Sequence, residues 1–412
     1  MSLHPKILDE IPAQGIFCTG IENSDPWVNG VRRDQLTEAF DFYSHYETRI
    51  RNIHALGLRW LRFGPCYSQT HRGKDTFDFS FCDKVMELCR TLNITVLADL
   101  LHFGLPRWLH EEDPSKSFFQ NPHFPEHFAS YARAFAKRYP RTQFFTCVNE
   151  PYVTAFFCAK IGIWNEQIRS EWNDDVAFVN AAKNICKAVL LAREAILTVW
   201  TQEQRPFHPV FLQNESFELA TYTHESRIAE VTLFNTRRFV MLDLIFGKRD
   251  DAVNAFLMGA GMSAEEYEWF MQHGSREHAI LGIDHYPTCV HMYGLDGVVH
   301  CDPTHSSQFL TLVKEYYARY QVPLLHTEVN AWPDHALTMC QQTYDAIEAL
   351  RKDGFPILGM AWYGDEYQVG WHQALVGNYD ENHVGLFYRG TLQPVGKLFG
   401  ELAQKGFSSI KL

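Results

Sequence analysis

Eight short, largely apolar runs without strict alternation, each followed by a helical pattern, constrain this chain more than any other feature of it. They occupy residues 15–20, 58–63, 94–101, 144–148, 210–213, 281–284, 324–327 and 358–362. A strand with one wet face alternates apolar and polar residues, whereas a continuous run marks a strand covered on both faces, as in a parallel sheet. Parallel neighbours need a crossover between them, and helices supply it. Behind the second run, Phe81, Val85, Leu88, Cys89 and Leu92 recur at helical spacing. Ser80, with Asp83 three residues on, resembles a capping box there. Before the seventh run, Phe309, Leu312, Val313, Tyr316, Tyr317 and Tyr320 make a similar stripe, and residues 123–138, 176–200 and 335–351 also read as helices. Eight strand–helix units predict an α/β chain folded as a closed (β/α)8 TIM barrel. Residues 151–172, 216–278 and 286–306 are then elaborated βα loops. No linker rich in Gly, Ser or Pro divides the chain, so residues 1–412 read as one barrel domain, a length that barrels reach with insertions.

Charge and composition remove several function classes. Lys and Arg number 37 against 49 Asp and Glu, a net charge of −12, which argues against a partner with a phosphate backbone and so against nucleic acid. No apolar run approaches the roughly 18 residues of a membrane span. The opening MSLHPKILDEIPAQG has no basic start followed by an apolar stretch, so a cytoplasmic location is expected. Ten scattered cysteines without C-x-x-C fit buried free thiols better than a disulfide framework. Neither H-x-H nor H-E-x-x-H occurs among the 20 histidines, so no metal and no cofactor is expected. Aromatics are abundant, with 31 Phe, 18 Tyr and 10 Trp, enough to spare flat faces for a ligand.

In a barrel the chemistry sits where strands end, at the C-terminal mouth. The fourth run ends in Asn149 and Glu150, and the seventh leads into Glu328. Two facing carboxylates are the apparatus for splitting a glycosidic bond, one protonated for the leaving oxygen and one ionised for the anomeric carbon. The residues alone leave a second reading open: Glu150 capping the helix that follows, and Glu328 paired with an arginine. Other strand ends bring Arg62, then His102, then Asp284 and Tyr286, then Trp362, Asp365, Glu366, Gln368 and Trp371. Polar donors beside tryptophan faces suit a sugar, so a small carbohydrate or glycoside is the expected partner.

The run TCVNEP around Glu150 resembles the T-x-N-E-P motif of glycoside hydrolase family 1, the β-glucosidase-like retaining barrels. HTEVN around Glu328 is similar to that family's T-E-N-G, LHFGLPRWL to its H-W-D-L-P-x-W-L, LRFG to its R-F-S, GIDHY to its G-I-N-Y-Y and AWY to its W-S. The landmarks follow family order across nearly the whole chain. The resemblance implies Glu150 as general acid/base, Glu328 as nucleophile, and Asn149 on the sugar 2-hydroxyl. It implies Arg62 and Tyr286 as holders of Glu328, His102 on a glycon hydroxyl and Trp362 as the platform under the sugar. Departures are concentrated at the glycon end. Gly20 stands where the family's Q-x-E-G has its Gln, Gly104 where it has an Asp, and Asp284 where it has an Asn. No Glu directly precedes Trp371, so Asp365, Glu366 or Gln368 on one side, and Glu22 or Asn23 on the other, are the available substitutes. Glu366 and Trp371 are assigned to the substrate. The expected activity is that of a retaining, exo-acting β-glycosidase working through a covalent glycosyl-enzyme. Two alternatives remain: a transglycosylase with an acceptor pocket at Trp164, Trp172 or Trp332, or a catalytically silent carbohydrate-binding barrel.

Overall fold

The computed structural model describes residues 11–112, 118–165, 174–300 and 306–409. All eight expected strands are present: β1 (Ile16–Gly20), β2 (Trp60–Phe63), β3 (Thr95–Asp99), β4 (Phe144–Thr146), β5 (Val210–Ser216), β6 (Ala279–Asp284), β7 (Leu324–Glu328) and β8 (Ile357–Tyr363). They pair in parallel in chain order, and β1 closes the ring by pairing with both β2 and β8. The helices α1 (Phe42–Ala55), α2 (Ser80–Thr91), α3 (Phe124–Arg138), α4 (Asp174–Gln202), α5 (Val240–Phe246), α6 (Ser306–Tyr320) and α7 (Pro333–Lys352) return the chain between strands, and α8 (Pro394–Lys405) follows the last.

Two apolar layers hold this arrangement. One joins the outward faces of the strands to the helices, with Phe17, Leu61, Val96, Phe145 and Leu281 packed among Val85, Phe128, Ile185 and Ile347. The other takes residues from every strand, Ile16, Cys18, Trp60, Leu97, Phe144, Val210, Leu212, Ile280, Leu325, Leu358 and Ala361, and so fills the barrel interior below its mouth. The continuous apolar runs follow from this double burial.

The elaborations carry structure of their own. The chain after β5 forms a strand (Leu219–Tyr222) and four helices including α5; the strand joins the hairpin Val290–Gly294 and Gly297–His300, which comes from the loop after β6. The capping box expected at Ser80 is not formed. Ser80 is already the first helical residue, and the Asp78 carboxylate accepts from its amide at 3.1 Å and its hydroxyl at 2.7 Å. Asp83 instead binds Arg138 at the end of α3 and Tyr139 just past it, because a guanidinium is a stronger partner for a carboxylate than an amide. A true capping box stands at Ser263 and Glu266.

Candidate active site

β4 ends four residues short of Glu150, and the chain turns sharply to begin the short helix Pro151–Ala155. Glu150 takes the left-handed conformation at the turn, φ 37° and ψ 68°, at a cost of about 1–3 kcal/mol for a side-chain-bearing residue. The surroundings impose it: the Asn149 amide donates to the Leu101 carbonyl at 2.8 Å, and the Thr154 hydroxyl to the Asn149 carbonyl at 2.9 Å. The Glu150 side chain makes no hydrogen bond to the helix it precedes, so capping does not explain it. Glu328, at the end of β7, does pair with an arginine, and that pairing is part of the site.

Arg62, fully buried on β2, organises the floor. One terminal guanidinium nitrogen bonds Glu328, and the other bonds Asp99 at 2.9 Å and the side-chain Oδ1 of Asn149. The Tyr286 hydroxyl donates to the second Glu328 oxygen at 2.5 Å, so both oxygens of that carboxylate are held. Asn149 is fixed as well. Its Oδ1 accepts from Arg62 and from Asn214, which turns its Nδ2 toward His102 Nε2 at 3.0 Å. That nitrogen must accept, so the His102 proton sits on Nδ1, against Asp99 at 2.8 Å. Five expected residues, Arg62, His102, Asn149, Tyr286 and Glu328, thus form one bonded network, with Glu150 facing it.

Glu150, Asp284 and Glu328 each present an oxygen within 4.8 Å of the others, and all three are buried. Such spacing would suit a metal ion, but Glu328 already has two donors and Asp284 has two more, Asn214 and Thr327 at 2.5 Å each. The positive charge here is the guanidinium of Arg62. Burial first, then repulsion from Asp284 and Glu328, drives Glu150 well above the usual carboxyl range, and burial followed by Glu328 does the same to Asp284. Behind Glu150, Glu215 accepts from the amides of Tyr152 and Ser216, and burial pushes it up to about 8.

The glycon end is rebuilt. A Cβ at Gly20 would lie 1.9 Å from a ring carbon of Tyr363, whose side chain fills the place a longer residue would take and stacks over His102 at 6.3 Å. A Cβ at Gly104 would meet Asp25 Oδ1 at 1.7 Å, so that carboxylate, from the loop after β1, stands beside the glycine. Glu22 accepts from Gln368 Nε2 at 3.1 Å and lies 3.6 Å from His102 Nε2. Glu366 does not join them. The amides of Arg389 and Gly390 occupy its two oxygens at 2.7 and 2.6 Å, so it anchors a C-terminal hairpin, and Gln368 holds the inward position. Trp362 also departs from expectation: with 0% exposure and its N–H on the Val384 carbonyl, its ring is a wall of the core and offers no open platform. Trp371 is partly exposed, against Phe103 and Trp164. Trp164 is buried and bonded to Ala374, Trp332 is half exposed, and Trp172 lies outside the described residues.

Sequence reasoning missed Asp99, Asn214, Thr327 and Tyr363. Asp99 and Asn214 had a signal, a polar residue closing an apolar strand; Tyr363 had none, because only the fold brings it to Gly20.

Residues 24–206 match the model of glycosyl hydrolase family 1. Among solved structures, the family 1 β-glucosidase from Thermotoga maritima superposes with a TM-score of 0.77 at 15% identity, covering 97% of this chain and 99% of that one. Complexes of a β-glucosidase from the same organism with azafagomine (TM-score 0.77, 15% identity, 96% and 99% covered) and deoxynojirimycin (0.76, 14%, 97% and 99%) are equally similar. These likenesses show the shared barrel over nearly the whole chain. No curated protein sequence matches it.

Proposed function

We propose that this chain is a divergent member of glycoside hydrolase family 1 and a retaining, exo-acting β-glycosidase for small glycosides, with residues 1–412 as one catalytic domain and no metal or cofactor. One observation carries the reading: oxygens of Glu150 and Glu328 lie within 4.8 Å of each other. Inverting glycosidases keep their two carboxyls about 6.5–9.5 Å apart to seat a water, whereas retaining ones hold them about 5–5.5 Å apart.

Glu150, kept protonated by burial and its acidic neighbours, gives its proton to the glycosidic oxygen as a Glu328 oxygen attacks the anomeric carbon. The bond to the aglycone breaks and the aglycone leaves as an alcohol. The Glu150 carboxylate then takes a proton from water, whose oxygen displaces Glu328 and frees the sugar. Arg62 and Tyr286 orient Glu328 for both steps. Asn149 faces the 2-hydroxyl, His102, with both ring nitrogens taken by Asp99 and Asn149, orients that amide where the resemblance had it on a glycon hydroxyl, and Glu22, Gln368 and Trp371 line the outer side. The nine described cysteines are free and buried, as suits a reducing compartment, and the activity is assigned to the cytoplasm.

A screen of nitrophenyl glycosides, with NMR of the first-formed anomer, tests the reading. A β-configured product from a β-glycoside is expected. Glu150→Gln should slow turnover about 10²–10⁴-fold, less for good leaving groups. An inverted product, or equal losses on aryl and alkyl glycosides, overturns it. Added sugar acceptors separate hydrolysis from transfer.

A further inference from the structure

We propose that Asp284 is a positioning residue that keeps the catalytic proton on Glu150, acting as a third carboxyl in the same buried cluster. The inference rests on the glycosidase reading for what that proton does, and on side-chain geometry for where it sits. At this position the family resemblance leads one to expect an asparagine, neutral at every pH; here it is an acid with no exposed surface.

The charge count of the cluster decides the matter. The groups facing Glu150 and Asp284 are Arg62 from β2, Glu215 from β5, Glu328 from β7, and Tyr286 and Cys289 from the loop after β6. Arg62 is the cation among them, and Glu328 and Asp99 take its two terminal nitrogens. Glu150 and Asp284 therefore share a buried site with no counter-charge of their own. Two carboxyls with oxygens inside 4.8 Å cannot both ionise freely, and once one has lost its proton the other holds on harder.

Local bonding sets which one yields first. Asn214 and Thr327 donate to the two Asp284 oxygens, which favours the ionised form. The Glu150 carboxyl receives no hydrogen bond from the described residues. Negative charge appearing in the pair falls first on Asp284, and its repulsion retains the proton on Glu150. Burial followed by Asp284 as the leading causes of the upward displacement of Glu150 agrees with this order.

Asp284→Asn tests it while keeping shape, since the amide can accept from Asn214 and donate to the Thr327 hydroxyl. The basic limb of the kcat/KM profile should move down by at least about one pH unit, with no drop in melting temperature. Thr327→Val, which removes a donor to Asp284 and no hydrogen bond of either glutamate, should move the limb the same way by less. A limb that stays in place or moves up overturns the proposal. If the wild type turns over no glycoside, the glycosidase reading fails, and infrared titration then decides this one separately. The carbonyl stretch of the protonated carboxyl that Glu150→Gln removes should titrate at lower pH in Asp284→Asn; an unchanged midpoint overturns the proposal.

Discussion

Arg62 bonds Glu328, Asp99 and Asn149 from a position with 1% exposure, so one cation is shared by two buried carboxylates. Removing one partner of a buried ion pair strands the other, at about 3–5 kcal/mol. Arg62→Met is accordingly expected to lower the unfolding free energy by about that amount in urea titrations, and to abolish turnover. A variant that lost activity yet unfolded like the wild type would mean that Asp99 and Glu328 find other donors. Arg62, Asn149, Glu150 and Glu328 were legible because strand ends in a barrel converge on one mouth, so proximity could be read from a linear pattern. Glu366 was misplaced for the opposite reason. Its partners, Arg389 and Gly390, lie more than 20 residues on, in a hairpin whose fold-back leaves no local mark.

Between elements, the contact of β1 with β8 carries the glycine that stands where the resemblance implies a glutamine. Registration of Gly20 against Tyr363 lets the phenol ring lie where a side chain would otherwise project. Gly20→Ala should destabilise the fold by about 1–3 kcal/mol through overpacking, and in a Tyr363→Ser background, itself destabilised by the cavity it leaves, the same substitution should cost much less. Thermal melts of the two single variants and the double variant measure that coupling; additive effects would mean the ring moves aside freely. All eight strands were legible from burial on both faces, but their limits were not. β5 runs on to Ser216 because Asn214 and Ser216 remain paired with β6, although their polarity reads as the end of a run. The sheet formed by residues after β5 and β6 was also invisible, since its strands come from two loops that only the barrel brings together.

Across the whole molecule, burial of acids sets the response to pH. Asp25 is raised to about 7, Glu215 to about 8 and Glu366 to about 7, burial being the largest cause in each. An acid raised on folding contributes stability that is complete below its unfolded pKa and disappears as pH climbs through the folded one. Buried histidines work from the other side, with His71 lowered to about 4 and His326 to about 3, again chiefly by burial, so their contribution fades as pH falls below the 6.5 of an unfolded histidine. Above pH 6.5 these histidines are neutral in both states and the acids act unopposed. The melting temperature should therefore fall between about pH 6.5 and 8, as calorimetry across that range would show; a rise would mean that these carboxyls ionise without penalty. One last consequence comes from the apolar side chains that all eight strands send into the barrel below the mouth. They leave the cleft a blind alley: whatever enters must go out by the same door, so a sugar not yet released blocks the next arrival, and the enzyme should be throttled competitively by its own product.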